Sequence, residues 1–307
     1  MAEAGSPGAQ HHGEARVVCV GLATLDVVQY ARRLPAAGDK ATSEASWVGA
    51  GGPAANAAAT IGLLGGPVTL IAPVGDDRVG QLARADLERA GVDVVVPAAW
   101  ADVPTTVSSA WVDLADGDRA VLSTDAAAAT APETPADGEA ALADDVAAVL
   151  LDGSLPRLSL AVADAARRRG VGVVLDGGSW KPVLAELLPL VDHAICAARF
   201  AFPDAADQSV ADRLTRLAAT VGDLAAITDG GRPVAYRRTG AAGGAGGLIA
   251  PPQPPRVVDT LGAGDVLHGA FAHHLAQCRR EPVDALAAAI ADAAASVAHR
   301  GPRAWAA

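Results

Sequence analysis

From residue 16 onward, short β-branched and aliphatic runs alternate with longer Ala/Leu-rich runs whose apolar positions recur at helical spacing. The strand-like runs are Arg16–Gly21, Val68–Ala72, Val92–Val96, Asp145–Leu151, Val171–Leu175, Asp192–Cys196 and Leu224–Thr228. Helical spacing fills Ala54–Leu64, Arg78–Ala90, Leu158–Arg169, Ser209–Ala219, Ala263–Gln277 and Val283–Ala298. Near-continuous apolar strands separated by helices predict an α/β fold with a mostly parallel sheet, because such strands have no solvent side. Two stretches break the rhythm. Lys40–Val48 and Thr105–Leu122, the second with a turn at Asp116-Gly117, alternate polar and apolar residues as half-exposed antiparallel strands do. They predict a small sheet projecting from the main body. Gly-rich residues 240–247 and Pro-rich residues 251–255 predict a short meander before the helix at Ala263.

No apolar run reaches the roughly 18 residues a membrane span needs. The formal net charge of −11 removes the positive footprint of a nucleic-acid binder. The expected partners are therefore small molecules, with neither nucleic acid nor membrane. Residues 1–15 lack an apolar stretch and read as a disordered tail, in which His11 and His12 are tail composition. Residues 16–307 read as one domain whose projecting strands come from about 38–48 and 103–123. Cys19, Cys196 and Cys278 are far apart and form no Cys-x-x-Cys pair, the pattern of reduced thiols in a cytoplasmic protein.

The sharpest chemical feature is Asp259-Thr260-Leu261-Gly262-Ala263-Gly264-Asp265, which follows a strand-like run and opens a long helix. Small residues at Gly262, Ala263 and Gly264 let an anion approach the unpaired N–H groups and the positive end of the helix dipole. Asp265, in the same first turn, would put a carboxylate where a hydroxyl attacks a phosphoryl group. A plain helix cap is the alternative. Upstream, Gly49-Ala50-Gly51-Gly52-Pro53-Ala54-Ala55-Asn56 has glycines spaced as in a dinucleotide fingerprint, with an acid at Asp76. The segment before it is amphipathic rather than a buried strand, which favours a different use: Gly51 and Gly52 turn backbone N–H groups toward a polyhydroxylated ligand, and Asn56 adds a donor and an acceptor. Asp26 and Asp176 each follow a strand-like run, at the edge where open α/β sheets bind ligands, or are surface turn carboxylates. Lys181, one of two lysines with Lys40, is open to pairing with phosphate or to simple solvation. His268 stands one turn beyond Asp265, while His273 and His274 read as packing or solvent-facing. P-loop, Gly-x-Ser-x-Gly and zinc-protease motifs are absent from the sequence.

Joined to Val48–Asn56 and to Val-Gly-Asp-Asp-Arg-Val-Gly at 74–80, the Asp259–Asp265 string resembles the signatures of the ribokinase (PfkB) family of carbohydrate kinases, in order and spacing, over residues 16 to about 303. Within that family the motifs are similar to those of ketohexokinases and sulfofructose kinases. The resemblance implies a three-layer α/β/α sandwich with a small β-lid, and ATP-dependent phosphorylation of a sugar hydroxymethyl group. It implies Asp265 as base, Gly262–Gly264 as anion hole, and Asp26, Gly51, Gly52 and Asn56 as sugar contacts. It implies Lys181, Thr228 and Gly230 on ATP, with Mg2+ arriving on the nucleotide, and Asp259 and Thr260 at a monovalent-cation (K+) site. Members that pair through lid strands make a homodimer an open outcome. A nucleoside kinase of the same family, or a regulatory protein with weak catalysis, are the alternatives. This chain also departs from the pattern: Pro53 replaces an asparagine, Pro233 replaces a glycine of the nucleotide loop, Ser154 stands where a sulfonate-binding arginine would align, and Ala197–Ala201 lacks the acid of an Asn-x-x-Glu element tied to magnesium.

Overall fold

The computed structural model describes residues 15–33, 38–115, 119–124, 137–205, 208–239 and 244–306. The expected tail, apart from its last residue, and the turn at Asp116-Gly117 lie outside the described residues.

The strands are β1 Arg16–Val20, β2 Thr24–Ala31, β3 Ala45–Gly51, β4 Val68–Ile71, β5 Val92–Val95, β6 Thr106–Asp113, β7 Arg119–Ser123, β8 Val146–Leu151, β9 Gly172–Gly177, β10 His193–Ala197, β11 Leu224–Thr228, β12 Val234–Arg238 and β13 Gly246–Ile249. The helices are α1 Pro53–Leu63, α2 Arg78–Arg89, α3 Asp137–Ala140, α4 Pro156–Arg169, α5 Leu184–Leu187, α6 Val210–Ala218, α7 Ala263–Ala276 and α8 Pro282–Ser296. Nine strands make one sheet in the order β13-β12-β11-β10-β9-β8-β1-β4-β5. It is parallel from β5 to β11, and the meander adds β12 and β13 antiparallel at one edge.

Both faces of this sheet are covered, which is why its strands carry no polar alternation. On β1, Val17 and Cys19 pack with α1, α2, α7 and α8, while Val18 and Val20 pack with α4, α5 and α6. This is the three-layer sandwich. Burial pushes the thiols of Cys19 and Cys196 far above their ordinary range, so both act as packing residues. No helix of the described residues is long and apolar enough to cross a membrane.

The second sheet runs β3-β2-β6-β7 and differs from the sequence expectation in three ways. Residues 40–44 are not strand; β3 begins at Ala45 and continues through Gly49 and Gly51, which the sequence suggests as a turn. Residues 24–31 supply a lid strand, β2, that its pattern hides, because the buried face carries Thr24 and Asp26 with Val28 and Tyr30 while the other face carries Leu25 and Val27. Finally, β2 and β6 pair in parallel, with antiparallel pairing only to β3 and β7. Val28, Tyr30, Ala110 and Val112 form the lid's own small core, against Trp47 and Leu261. Val48, Trp111, Val121 and Leu122 are exposed.

Candidate active site

The start of α7 is built to stay open. Its N-cap, Gly262, sits at φ 76°, a left-handed conformation that favours glycine, and no side chain caps the first turn. A Cβ at Gly264 would meet nothing within 4 Å, so the backbone there faces empty space. No side-chain carboxylate caps the first-turn N–H groups, so they and the helix dipole are left to meet an anion in the cleft. Asp265 is the acid of that first turn.

Asn56 Nδ2 donates to Asp265 Oδ2 at 2.8 Å. The contact is set by how α1 and α7 cross: Gly269 lies so near Ala57 that a Cβ would stand 2.3 Å from the Ala57 carbonyl oxygen. Asn56 and Asp265 are one residue and four residues before that crossing point. Close backbone approach thus fixes their distance more tightly than two flexible side chains could.

Asp26 does not follow β1 in a loop, as its sequence position suggests; it is the third residue of β2, on the inner face of the lid with Val28 and Tyr30. Its Oδ1 accepts from Thr24 Oγ1 at 2.5 Å. A Cβ at Gly51 would lie 2.0 Å from the Asp26 carboxylate, so glycine at 51 is what lets the carboxylate lie across the base of β3. Gly52 follows as the N-cap of α1.

Three residues with weak or no sequence signal complete the group. Arg303, beyond α8, reaches back under the lid. Its Nη1 donates to Asn56 Oδ1 at 2.9 Å and its Nη2 to the Ala50 carbonyl at 2.7 Å, with Asp86 3.6 Å from Nε. An arginine in a Gly-Pro turn after the last helix carries no spacing that announces this. Asp176, on β9, and His268, on α7, face each other: Oδ2 and Nδ1 are 3.2 Å apart, both residues are buried, and neither atom has another hydrogen-bond partner. The other ring nitrogen, Nε2, lies 3.0 Å from the Ile195 carbonyl. A carbonyl only accepts, so Nε2 carries a hydrogen and donates to Ile195.

Asp265 shares the cleft with Asp176 and Asp26. Burial first, and then the charge of Asp176, push its carboxyl up to about 8; the Asn56 hydrogen bond and Arg119 pull the other way. Part of its side chain stays open to the cleft, while protein crowds the carboxyl on the remaining sides. Asp26 is raised too, mainly by burial, against the opposing hydrogen bond from Thr24 and the charge of Arg303.

The other residues singled out by sequence lie elsewhere along the sheet edge. Lys181 Nζ donates to the Asp152 carbonyl at 2.7 Å. Asp152, buried at the end of β8, accepts from Leu22 N at 2.8 Å and Ser154 N at 2.7 Å, clasping the β1–β2 connection to the sheet. Its place after the Val-Leu-Leu run matches Asp26 and Asp176, and that strand-end position was the available signal. Arg199 Nη2 comes near Gly178, where a Cβ would be 3.2 Å away. Thr228 ends β11 and Gly230 follows at φ 56°; neither is hydrogen-bonded to the Asp265 group among the described residues. Asp259 is buried with its carboxylate engaged: Tyr30 Oη donates to Oδ2 at 2.7 Å, Gly301 N to Oδ2 at 3.0 Å and Leu261 N to Oδ1 at 2.8 Å. Arg119 Nη1 donates to Thr260 Oγ1 at 3.0 Å. Behind Tyr30, a cavity of 430 Å³ between lid and body is lined by Arg32, Arg256 and Arg300 with Glu44.

Known proteins resemble this chain over half to nearly all of its length. An ATP-dependent ribose-1-phosphate kinase of Halopiger xanaduensis is 37% identical over 164 residues, 53% of this chain, so that the chain spans about half (54%) of that relative's length. Ribokinase of Bacillus subtilis is 28% identical over 274 residues, covering 85% of this chain and 86% of that one. A crystal structure from Agrobacterium tumefaciens, provisionally assigned as a ribokinase, superposes with a TM-score of 0.81 at 28% identity, covering 96% of this chain and 94% of its own. The sequence profile of the pfkB family carbohydrate kinases matches residues 14–306, nearly the whole domain just described, and the chain belongs to that family.

Proposed function

We propose that the acceptor of this ATP-dependent sugar kinase is a small sugar of the ribose class, phosphorylated at a primary hydroxyl with Asp265 as the base. The observation that carries the proposal is the Asn56–Asp265 contact of 2.8 Å at the uncapped start of α7, which puts a proton acceptor beside an anion cradle. Asp26, the backbone at Gly51 and Gly52, and Asn56 form the polar wall that would hold the sugar's other hydroxyls. The motifs leave a small ketose or a pentose-like sugar open, and the ribose-type substrates in the relatives' names favour the pentose-like one.

In this mechanism the sugar hydroxyl gives its proton to Asp265 as its oxygen attacks the γ-phosphorus, and the N–H groups of Gly262 and Gly264, with that of Ala263 once it turns from the Thr260 carbonyl, receive the charge of the transferring group. Lys181 uses one of its three donors on Asp152 and turns the others toward phosphate oxygens. Thr228 and Gly230 border the nucleotide. Ala197–Ala201 offers Arg199 instead of an acid, so the residues present fit a magnesium ion held by the nucleotide's phosphates and water, where it would neutralise phosphate charge. A lid closing over the sugar would exclude water from the transfer. Its exposed Val48, Trp111 and Leu122, on the face opposite Val28 and Tyr30, support self-association through the outer face.

A nucleoside acceptor gains no support from the three tryptophans in and near the lid: Trp100 is fully buried, Trp111 lies on the lid's exposed face, and Trp47 is covered by Gly301 and Arg303. ADP release with MgATP against ribose, ribose 1-phosphate, ketoses and nucleosides tests the proposal. Ribose-class turnover supports it, and turnover with nucleosides alone overturns it.

Asp259 and Thr260 do not fit a potassium ion well. The carboxylate already accepts three protein donors, and Arg119 and Arg300 bring positive charge to the same corner. We assign Asp259 as a brace between lid strand, anion loop and C-terminal segment. Rates are expected to match in potassium and tetramethylammonium salts of equal ionic strength; activity that requires potassium would restore the cation.

A pH profile tests the base. Because Asp265 is raised, kcat is expected to climb with pH through the neutral region instead of levelling off in the usual carboxylate range. Asp176→Asn removes the charge that, after burial, does most to raise Asp265. The acid limb should then move down by about one pH unit. An unmoved limb would show that Asp176 does not act on Asp265.

A further inference from the structure

The far end of α7 gathers two imidazoles and a thiol that phosphoryl transfer does not use. One ring nitrogen each from His273 and His274 and the sulfur of Cys278 lie within 4.8 Å of one another. Along the helix axis they are about 12 Å from Asp265, at a rise of 1.5 Å per residue, so they belong to a separate locus. Cys278 Sγ lies 3.6 Å from His273 Nε2. His274 Nε2 is 2.8 Å from Asp292 Oδ2 on α8, and its Nδ1 is buried with no hydrogen-bond partner. Since a carboxylate accepts, Nε2 carries the hydrogen and the His274 lone pair sits on Nδ1. His273 is also buried. The two rings are 5.3 Å apart and inclined at 72°, so their edges face different directions around a common centre.

An imidazole nitrogen buried without a partner is costly to leave so, and a thiol next to two imidazoles is a donor set of borderline softness. We propose that His273, His274 and Cys278 form a three-ligand site for a divalent ion of the zinc type, oriented by Asp292 through His274, with a fourth position open to water beside the exposed Cys278. Tetrahedral zinc places N and S donors about 3.3–3.7 Å apart. Cys278 Sγ is already in that range of His273 Nε2, at 3.6 Å, and Cys278 lies past the end of α7. The carboxylate–imidazole pair is the arrangement that fixes ring orientation around bound metals. The ion would tie the end of α7 to α8.

Thiol chemistry reads the site directly, because Cys278 is exposed while Cys19 and Cys196 are buried. Saturating zinc is expected to slow alkylation of Cys278 by iodoacetamide at least about tenfold, since a metal-bound thiolate is shielded. Prior alkylation, or Cys278→Ser, is expected to abolish tight zinc uptake in equilibrium dialysis of the full chain. Asp292→Asn should weaken uptake by roughly 10–100-fold, with kinase turnover kept. Alkylation at the same rate with and without zinc would overturn the proposal. So would undiminished zinc uptake by the alkylated protein, which would locate the metal elsewhere, for example at the His11-His12 pair in the sequence. The alkylation arm needs no variant, so a Cys278→Ser chain that fails to fold leaves the test intact.

Discussion

Asp265→Asn is expected to lower kcat by on the order of 10²–10⁴-fold, with the Michaelis constants for sugar and ATP changed by no more than about threefold. The amide keeps the size of the carboxyl and keeps a carbonyl oxygen to accept from Asn56, so the geometry at the start of α7 survives. What it loses is the ability to take a proton as the hydroxyl attacks. The variant also should not be less stable than the wild type near neutral pH. The carboxyl is raised from the ordinary range to about 8 because burial and Asp176 oppose its ionisation. A group raised in the fold stabilises in its protonated form, and that contribution is lost as pH rises through the folded value. A neutral amide escapes this loss. Steady-state kinetics beside a thermal melt at pH 7 and pH 9 make the check. Near wild-type turnover would remove Asp265 as base, and a large fall in melting temperature would mean that the kinetic loss reports misfolding instead.

The parts of this molecule legible in its sequence are those governed by local rules. The parallel strands announce themselves because both faces are buried, and the anion cradle announces itself because a strand, small residues and a helix start must follow one another in the chain. What the sequence hides is set by contacts across long separations. Strand β2 is hidden because its buried face mixes Asp26 with Val28 and Tyr30, and the Tyr30 hydroxyl finds its partner only in Asp259, 229 residues away. Gly51 looks like a turn residue, yet its missing side chain serves Asp26 on the neighbouring strand. His268 is visible as one turn beyond Asp265, but its partner Asp176 comes from β9, and only the sheet order brings the two together. Arg303 is the extreme case, since a single guanidinium after the last helix completes a site opened by residues near the other end of the chain.

That guanidinium carries the second large effect. Arg303→Met keeps the length and apolar stem of the side chain but removes both donors, leaving Asn56 Oδ1 and the Ala50 carbonyl without their hydrogen bonds. Hydrogen bonds from charged donors are worth about 1.5–3 kcal/mol, so the Michaelis constant for the sugar should rise roughly 10–100-fold, at about 1.4 kcal/mol per decade. The effect is directional. Arg303 orients Asn56, and Asn56 in turn holds Asp265 at 2.8 Å, so sugar binding should suffer before ATP binding does. Asp26 and Asp86 would also lose the opposite charge that balances them. Arg303→Lys separates fork geometry from charge: an ammonium restores the charge but cannot reach Asn56 and Ala50 in the same planar arrangement. It should recover stability more fully than sugar affinity. A sugar Michaelis constant unchanged in Arg303→Met, in a protein that melts as the wild type does, would mean that the C-terminal segment only lies against the site and does not build it.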